Sequence, residues 1–223
     1  MRRNALGIAA LAALCIASGA GIAAQVTATS MTTAASARAD REACILSWVV
    51  ERHPGATIKD FLSFPAVLLD ASESAGVDYR LILAMADKES GMNPRAVGRN
   101  GEVGLLQLLP ATAALVAKRL DDTSYESPVG VSKDRDGRPH YSFLGSLADP
   151  KVNVRYGIEY LRWQIERFGM TPTAIRAYNR PPGRASESWP LDRYAEDVAL
   201  NYLALVQRFD RRAGDATVPP PLR

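Results

Sequence analysis

The segment that follows Asp149-Pro150 has the regular spacing that most constrains the fold of this chain. Its apolar residues recur at intervals of four, three, four and three: Val154, Ile158, Leu161, Ile165 and Phe168. This spacing lines one face of an α-helix, with Asp149 placed as its cap and Gly169 placed at its end. No stretch of comparable length alternates apolar and polar residues in the manner of a β-strand. The sequence therefore predicts an all-α fold.

Further segments have the same helical spacing and are bounded by proline, glycine or a capping side chain. Residues 121–148 differ, because they have little periodicity and many Gly, Pro, Ser and charged residues. We expect a long loop there, or alternatively a loop that contains a short hairpin, and such loops are usually functional or mobile. The expected helices are 41–52, 58–75, the stretch between Asp78 and Gly91, 110–120, the stretch from Thr171-Pro172 to Tyr178, and a last helix that carries Leu191 to Phe209.

The first 24 residues have the composition of a secretory signal peptide. Arg2 and Arg3 precede an apolar run over residues 5–17, and small residues follow that run. We expect this segment to direct export to the periplasm or cell envelope, with cleavage after Ala24. The alternative is an uncleaved membrane anchor, which is less favoured because a membrane-spanning helix needs about 20 apolar residues.

Composition divides the remaining chain, after the signal of residues 1–24, into a lead-in, a domain and a tail. Residues 25–39 are small and polar, which predicts a disordered lead-in. Residues 40–210 carry the helical pattern and are expected to form one domain, and the Pro-rich residues 211–223 are expected to form a flexible tail. Loss of the signal lowers the formal charge from +3 to +1. A net charge so close to zero, with no basic cluster in the sequence, gives no indication of the basic surface that is typical of nucleic-acid-binding proteins.

Cysteine and histidine are too few and too scattered for a disulfide or a metal site. Cys15 lies in the signal, so Cys44 stays alone, and its place in an apolar-periodic stretch predicts a buried thiol. His53 and His140 have no metal-ligand spacing around them. We therefore expect no metal and no cofactor. Nothing in the pattern signals an oligomer, so a monomer is expected.

Glu89 stands at the end of a predicted helix and before an unusual loop. Gly91 ends the helix, and the loop contains a turn at Pro94, three glycines and Gln107 before the next helix starts at Pro110. A helix C-terminus and apolar neighbours both disfavour negative charge, so the pKa of Glu89 is expected to be raised. A protonated carboxyl is what general acid catalysis on a sugar ether needs. Taken alone, a glutamate at a helix end more often faces water.

Groups of residues in the same order resemble the motifs of the soluble lytic transglycosylase family, whose fold is the goose-type lysozyme-like fold. They run through residues 78–202, so the resemblance covers nearly the whole predicted domain. It implies a lysozyme-like helical domain with a long loop or small hairpin excursion, and peptidoglycan glycan strands as the substrate. The groups are Glu89-Ser90 with Asn93-Pro94; Gly104-Leu105-Leu106-Gln107 with Pro110; Asp149-Pro150 with Asn153, Gly157, Tyr160 and Leu161; and Ala177-Tyr178-Asn179 with Pro182-Gly183.

The resemblance implies a role for each matching site residue. Glu89 would be the single general acid/base, which protonates the oxygen between N-acetylmuramic acid and N-acetylglucosamine. It would then deprotonate the C6 hydroxyl of the muramoyl residue, which closes to a 1,6-anhydro product without a second carboxylate. Ser90 would support the substrate site, and Gln107 would hydrogen-bond sugar. Tyr178 and Asn179 would line the cleft, with Tyr178 hydrogen-bonded to the carboxyl of Glu89.

Departures from the family pattern bear on the choice of substrate. Arg180-Pro181 replaces the usual small residues, and Arg180 either meets a carboxylate of a peptide stem or faces solvent. Residues 121–148 exceed the usual connection and would gate the cleft or bind a partner, such as cell-wall or secretion machinery. Glu102 is an acid of the glycine-rich loop that could approach the cleft. Two alternative functions stay open: a lysozyme-type hydrolase, which usually adds an acid as base for water, and a non-catalytic glycan-binding scaffold.

Overall fold

The computed structural model describes residues 31–55, 58–169, 172–180 and 193–213 of this chain. The predicted signal peptide, residues 25–30 and residues 214–223 lie outside the described residues. So do residues 181–192, which include Pro181, Pro182-Gly183 and Leu191 of the predictions above. The chain divides into two units, Met1–Ala43 and Cys44–Arg223. Among the described residues, no helix is both long enough and apolar enough to cross a membrane.

The described part of the chain is helical apart from its loops and one small hairpin, which confirms the all-α prediction. The helices are α1 (residues 31–52), α2 (Ile58–Phe61), α3 (Phe64–Ala75), α4 (Tyr79–Ser90), α5 (Pro110–Arg119), α6 (Pro150–Phe168), α7 (Pro172–Tyr178) and α8 (Arg193–Ala213); the strands are β1 (Ser132–Lys133) and β2 (Pro139–His140), and a 3-10 turn covers Gly145–Ala148.

The described residues of the first unit, 31–43, are helical and mostly exposed. Residues 31–39 therefore differ from the disordered lead-in that their composition predicts. The physical reason is local, since the alanine-rich stretch has high intrinsic helix propensity. Arg38 also donates a hydrogen bond of 2.9 Å to Glu42, one turn further along the same helix.

The second unit differs from the predicted boundaries at residues 58–75 and at the end of α8, which runs to Ala213 and so enters the predicted tail of residues 211–223. Residues 58–75 form two helices, α2 and α3, separated at Leu62-Ser63, instead of one. Pro65 stands in the first turn of α3, where its missing N–H and fixed φ start a helix but cannot continue one. Cys44 differs too, because it is half-buried against the core and not fully buried.

Helix α4 lies inside the second unit, and this fixes the position of the glutamate at its end. Leu83, Ala84 and Met85 are each 0% exposed, so consecutive positions around the helix are covered by neighbours. Helix α8 and helix α3 both pack on α4, and α6 in turn packs on α3, α5 and α7. Helix α4 is therefore packed by elements from both ends of the unit.

Residues 121–148 contain the short hairpin that was the alternative to a plain loop. Strands β1 and β2 pair antiparallel, with Ser132 opposite His140 and Lys133 opposite Pro139. The Asp134 carboxylate closes the turn between them by accepting from the backbone N–H of Arg138 at 2.8 Å. The hairpin segment contacts the glycine-rich loop that precedes α5, through Tyr141 and Gly101.

Candidate active site

Glu89 is placed by the way helix α4 begins and ends. Asp78 caps the start, where its carboxylate accepts from the backbone N–H of Arg80 at 2.9 Å. Gly91 ends the helix in the left-handed conformation at φ 60°, and its N–H donates to the carbonyl of Asp87 at 2.9 Å. Both ends agree with the sequence prediction. Glu89 lies in the last turn, where backbone carbonyls gather and negative charge is disfavoured.

The carboxyl of Glu89 is partly buried and receives two side-chain hydrogen bonds on one oxygen. Tyr194 Oη donates to Oε1 at 2.6 Å, and Asn179 Nδ2 lies 3.5 Å from the same atom. Burial raises the pKa of Glu89 above its ordinary value, and the two hydrogen bonds oppose that rise. The negative charge of Glu102 adds a smaller upward effect on this pKa. The net effect is a pKa of Glu89 above its ordinary value, which is the direction expected from its place at a helix end.

Tyr194 is a site residue that the sequence analysis missed. It lies near the start of α8 and is only 9% exposed, and burial together with the Glu89 carboxyl raises its pKa well above the ordinary value. Helix α8 is fixed on α4 by an ion pair of 2.6 Å between Lys88 and Asp197. In the sequence Tyr194 belongs to an apolar helical stripe and is typical of a core residue. Only the packing of α8 on α4 shows that its hydroxyl reaches Glu89.

Tyr178 does not make the hydrogen bond to Glu89 that the resemblance implies. Its buried hydroxyl donates instead to the backbone carbonyl of Leu106 at 2.9 Å. Gly157 of α6 leaves the room for this contact, because a Cβ there would lie 2.3 Å from Leu106 Cδ1 and 3.1 Å from Tyr178 Oη. Tyr178 therefore supports the glycine-rich loop, and it also lines the cleft with Tyr160, whose ring centroid is 5.1 Å away.

Ser90 is likewise a support for the loop rather than a group that faces a ligand. Its hydroxyl lies 2.9 Å from the carbonyl of Leu105 and 3.1 Å from that of Ala86 in its own helix. The side chain thus links the end of α4 to the glycine-rich loop. The resemblance assigned Ser90 to the substrate site. In the structure its hydroxyl is directed at backbone carbonyls instead.

Asn153 of α6 holds the glycine-rich loop between α4 and α5 through hydrogen bonds of its side chain. It is 0% exposed, and its side chain accepts from the N–H of Leu106 at 2.8 Å and donates to the carbonyl of Val103 at 2.9 Å. Gly104 has φ 85°, and a Cβ on it would lie 2.1 Å from Asn153 Nδ2 and 2.4 Å from the carbonyl oxygen of Leu147. Only glycine fits this position, since both the backbone conformation and the space exclude a side chain.

Gln107 faces the cleft at the end of this loop. Its backbone is left-handed at φ 45°, and its Nε2 donates to the carbonyl of Gly104 at 2.9 Å. Within the described residues, no group donates to its Oε1. The amide nitrogen thus stabilises the loop, and the amide oxygen is the end that can accept from a ligand.

These side chains line one cleft of about 370 Å³, a size typical of small-molecule sites. Its lining combines acids, amides and arginines with an apolar and aromatic floor. Glu89, Gln107, Tyr178 and Asn179 all line this cleft, and their roles in it stay predictions. The lining residues are Glu89, Gly98, Arg99, Asn100, Glu102, Gln107, Leu108, Leu109, Thr112, Tyr160, Tyr178, Asn179 and Arg180.

Glu102 is the second acid of the cleft, and its carboxylate is bound within its own loop. Asn100 donates to it twice, from its backbone N–H at 3.0 Å and from its side-chain nitrogen at 2.7 Å. Across the part of the chain that the structure describes, no group of three or more His, Cys, Asp or Glu side chains could hold a metal ion. The expectation of no cofactor stays a prediction.

The chain belongs to the transglycosylase SLT domain family, whose family model matches residues 67–197, more than half of its length. That match includes Glu89, the glycine-rich loop, α6, α7 and the start of α8. The family membership agrees with the resemblance and with the helical, lysozyme-like fold that the motifs imply.

Similar proteins support the same family. A soluble lytic murein transglycosylase of Escherichia coli (strain K12) is 32% identical over 103 residues, which are 46% of this chain and 14% of that protein. A membrane-bound lytic murein transglycosylase C of Mannheimia succiniciproducens is 29% identical over 168 residues, 71% of this chain and 41% of that protein. The chain therefore spans less than half the length of these relatives.

A solved structure of an inactive mutant of the lytic transglycosylase Slt from Pseudomonas aeruginosa is also similar. It is 22% identical, with a TM-score of 0.49, and the match covers 65% of this chain and 24% of that one.

Proposed function

We propose that this protein is a lytic transglycosylase of peptidoglycan, with Glu89 as its single general acid/base. The reaction cleaves the β-1,4 bond between N-acetylmuramic acid and N-acetylglucosamine without water and leaves a 1,6-anhydro-muramoyl end. The observation that carries the proposal is the Glu89 carboxyl itself. It is partly buried, its pKa is raised by burial, and it lines an open cleft of about 370 Å³.

The hydrogen bonds to Glu89 give its two carboxyl oxygens different roles. Tyr194 and Asn179 both approach Oε1, so the proton of the neutral acid belongs on Oε2. From there it passes to the glycosidic oxygen as the bond to C1 breaks. The carboxylate that results is stabilised by the 2.6 Å bond from Tyr194 until it removes the proton of the C6 hydroxyl. The C6 oxygen then closes on C1, and Glu89 returns to its protonated form.

The lysozyme-type hydrolase is the second candidate, and the position of Glu102 is the observation that favours it. This acid lines the same cleft and acts on the pKa of Glu89, so it is placed where a base for water could stand. Its two bonds from Asn100, however, tie the carboxylate to the loop. We therefore propose the reaction in which the substrate supplies the nucleophile.

Mass spectrometry of digested cell-wall sacculi tests the proposal and separates the candidates. Lytic transglycosylation gives muropeptides that are lighter by one water than the hydrolysis products, and they carry no reducing end. The Glu89→Gln variant is expected to abolish lysis, and Glu102→Gln is its matched control in the same cleft and is expected to keep anhydro products. Reducing-end products from the parent would establish the hydrolase. Undiminished lysis by Glu89→Gln would remove Glu89 from the mechanism.

The setting of this activity is part of the same proposal. Peptidoglycan lies in the cell envelope, which agrees with export by residues 1–24. We propose that the protein acts there as a monomer on glycan strands, either in wall turnover or beside a secretion apparatus. Fractionation of cells that produce the full chain, followed by light scattering of the purified protein, tests both the location and the oligomeric state.

A further inference from the structure

Arg99 stands at the tip of a tight loop and faces the cleft. The loop closes on itself, because the N–H of Gly98 donates to the carbonyl of Glu102 at 2.8 Å and the N–H of Gly101 donates to that of Gly98 at 3.1 Å. Arg99 is exposed and makes no hydrogen bond or ion pair with the described residues. Many other arginines of the domain are paired with carboxylates: Arg52, Arg80, Arg119, Arg155, Arg162 and Arg208.

The loop that carries Arg99 is held firmly. Tyr141 of the hairpin segment donates to the carbonyl of Gly101 at 3.1 Å, and a Cβ on Gly101 would lie 2.7 Å from the Tyr141 hydroxyl. On the other side, a Cβ on Gly98 would lie 2.3 Å from Glu102 Oε2 and 2.5 Å from Gln107 Oε1. An arginine on so constrained a loop reaches the cleft from a prepared position, which reduces the ordering cost of binding.

Arg180 reaches the same cleft from a different part of the chain. It follows Asn179, whose side chain approaches Glu89, and its N–H lies 3.4 Å from the carbonyl of Ala177 at the end of α7. Arg180 lines the cleft together with Arg99. Two arginines from separate segments therefore line the same cleft as Glu89.

We infer that Arg99 and Arg180 recognise carboxylates on the muramoyl residues of the glycan, so that acidic strands and not neutral ones are the preferred substrate. The inference rests on the proposed function, because it concerns the same cleft. Sugar hydroxyls and N-acetyl groups are neutral and need no guanidinium group. Arginine binds a carboxylate through two parallel, charge-assisted hydrogen bonds, and the carboxylate is the one anionic group on this class of glycan.

The carboxylate has two chemical sources. Where the peptide stem is present, the lactyl group of the muramoyl residue is an amide and the anionic groups belong to the stem. Where the stem has been removed, the lactyl carboxylate itself is free. Both present the same group to an arginine, and the two sources differ only in their distance from the sugar ring.

Binding to the full chain with Glu89→Gln tests the inference without dependence on cleavage. The probes are a neutral N-acetylglucosamine oligomer, glycan strands with intact stems, and strands stripped of stems by an amidase. The variants are Arg99→Gln, Arg180→Gln and their double, and Arg95→Gln is the matched control, since Arg95 is an exposed arginine of the same segment outside the cleft. Titration calorimetry at two salt concentrations gives the affinities.

The double variant is expected to bind acidic strands about tenfold more weakly and the neutral oligomer as before, since exposed charged hydrogen bonds contribute modestly. Arg95→Gln is expected to change nothing. If only the affinity for stem-bearing strands falls, the arginines recognise the stem carboxylate. If only the affinity for stripped strands falls, they recognise the lactyl carboxylate. The inference would be overturned, with the proposed function left standing, by either of two results. One is an equal loss of affinity for the neutral oligomer, and the other is no loss of affinity for either acidic strand. Failure of the Glu89→Gln parent to bind any glycan would overturn the proposed function with it.

Discussion

Tyr194 donates a hydrogen bond of 2.6 Å to Oε1 of Glu89, although the two residues are 105 positions apart. The bond joins the last turn of α4 to the start of α8 inside a region that buries the tyrosine ring. It stabilises the carboxylate form and so limits the rise in pKa that burial causes. An acid that must release and regain a proton in one reaction needs this balance, because neither form is then too stable.

The Tyr194→Phe variant is expected to lower kcat and to raise the pKa of Glu89 further. The hydrogen bond favours the charged form, so its loss favours the neutral acid. Activity that requires the neutral acid falls as pH rises through this pKa, so the alkaline limb of the rate profile moves to higher pH. We expect roughly a tenfold loss of kcat, as for one charged hydrogen bond.

A matched control exists on the same helix. Tyr202 donates to Asp78 at 3.0 Å, away from the cleft, and Tyr202→Phe is expected to leave the pH profile unchanged. A profile of Tyr194→Phe that overlays the parent, or shifts to lower pH, would show that Tyr194 does not set the pKa of Glu89.

Tyr178→Phe is expected to lower stability while leaving the pH profile in place. The variant leaves the buried carbonyl of Leu106 without its 2.9 Å partner, which costs about 1–3 kcal/mol in the free energy of unfolding. Urea unfolding measures that cost, and the rate profile measures the pKa. A large shift of the profile without loss of stability would contradict the assignment of Tyr178 to the loop.

Gly104→Ala is expected to destabilise the protein and to displace the glycine-rich loop. Both a φ of 85° and a clash at 2.1 Å with Asn153 oppose the new methyl group. Gly137→Ala separates these causes, because Gly137 has φ 75° but no atom within 4 Å of an added Cβ. We expect about 1–2 kcal/mol for Gly137→Ala and clearly more for Gly104→Ala. Equal losses in urea unfolding would leave backbone conformation as the only requirement at Gly104.

Glu89→Gln is expected to stabilise the fold at neutral pH relative to the parent. The pKa of Glu89 is raised by burial, so the folded state holds its proton more tightly than the unfolded state does. Parental stability is therefore full below the ordinary pKa of 4.5 and decreases as pH rises through the folded pKa. The amide carries no charge and shows no such decrease. Melting temperatures at pH 4 and pH 8 measure the effect, which should appear at pH 8 alone.

Much of the helical framework could be predicted because its signals are local. Asp78 and Gly91 bound α4, and Asp149 and Gly169 bound α6, through capping contacts with residues a few positions away. The break between α2 and α3 had a local signal too, in Pro65. Residues 31–39 were predicted wrongly. Their small, polar composition indicated disorder, but the helix propensity of their alanines was the better guide.

The motifs indicated which residues share the cleft, but not which atoms they contact. Glu89, Gln107, Tyr178 and Asn179 do line one cleft, but the contacts among them differ from those implied. Tyr178 and Ser90 both contact backbone carbonyls of the glycine-rich loop, and these carbonyls have no signature in a sequence. Their partners depend on how the loop folds over α6.

By itself the sequence determined the all-α class, the end of α4 at an acid and the glycines of the following loop. These follow from spacing along the chain and from backbone conformations that few residues adopt. Only the tertiary structure decided which tyrosine reaches Glu89. A buried tyrosine has an apolar ring and a polar tip, so the sequence does not show where the hydroxyl of Tyr178 or of Tyr194 points. The packing of α7 and α8 directs the tip of Tyr178 to the loop and that of Tyr194 to the acid.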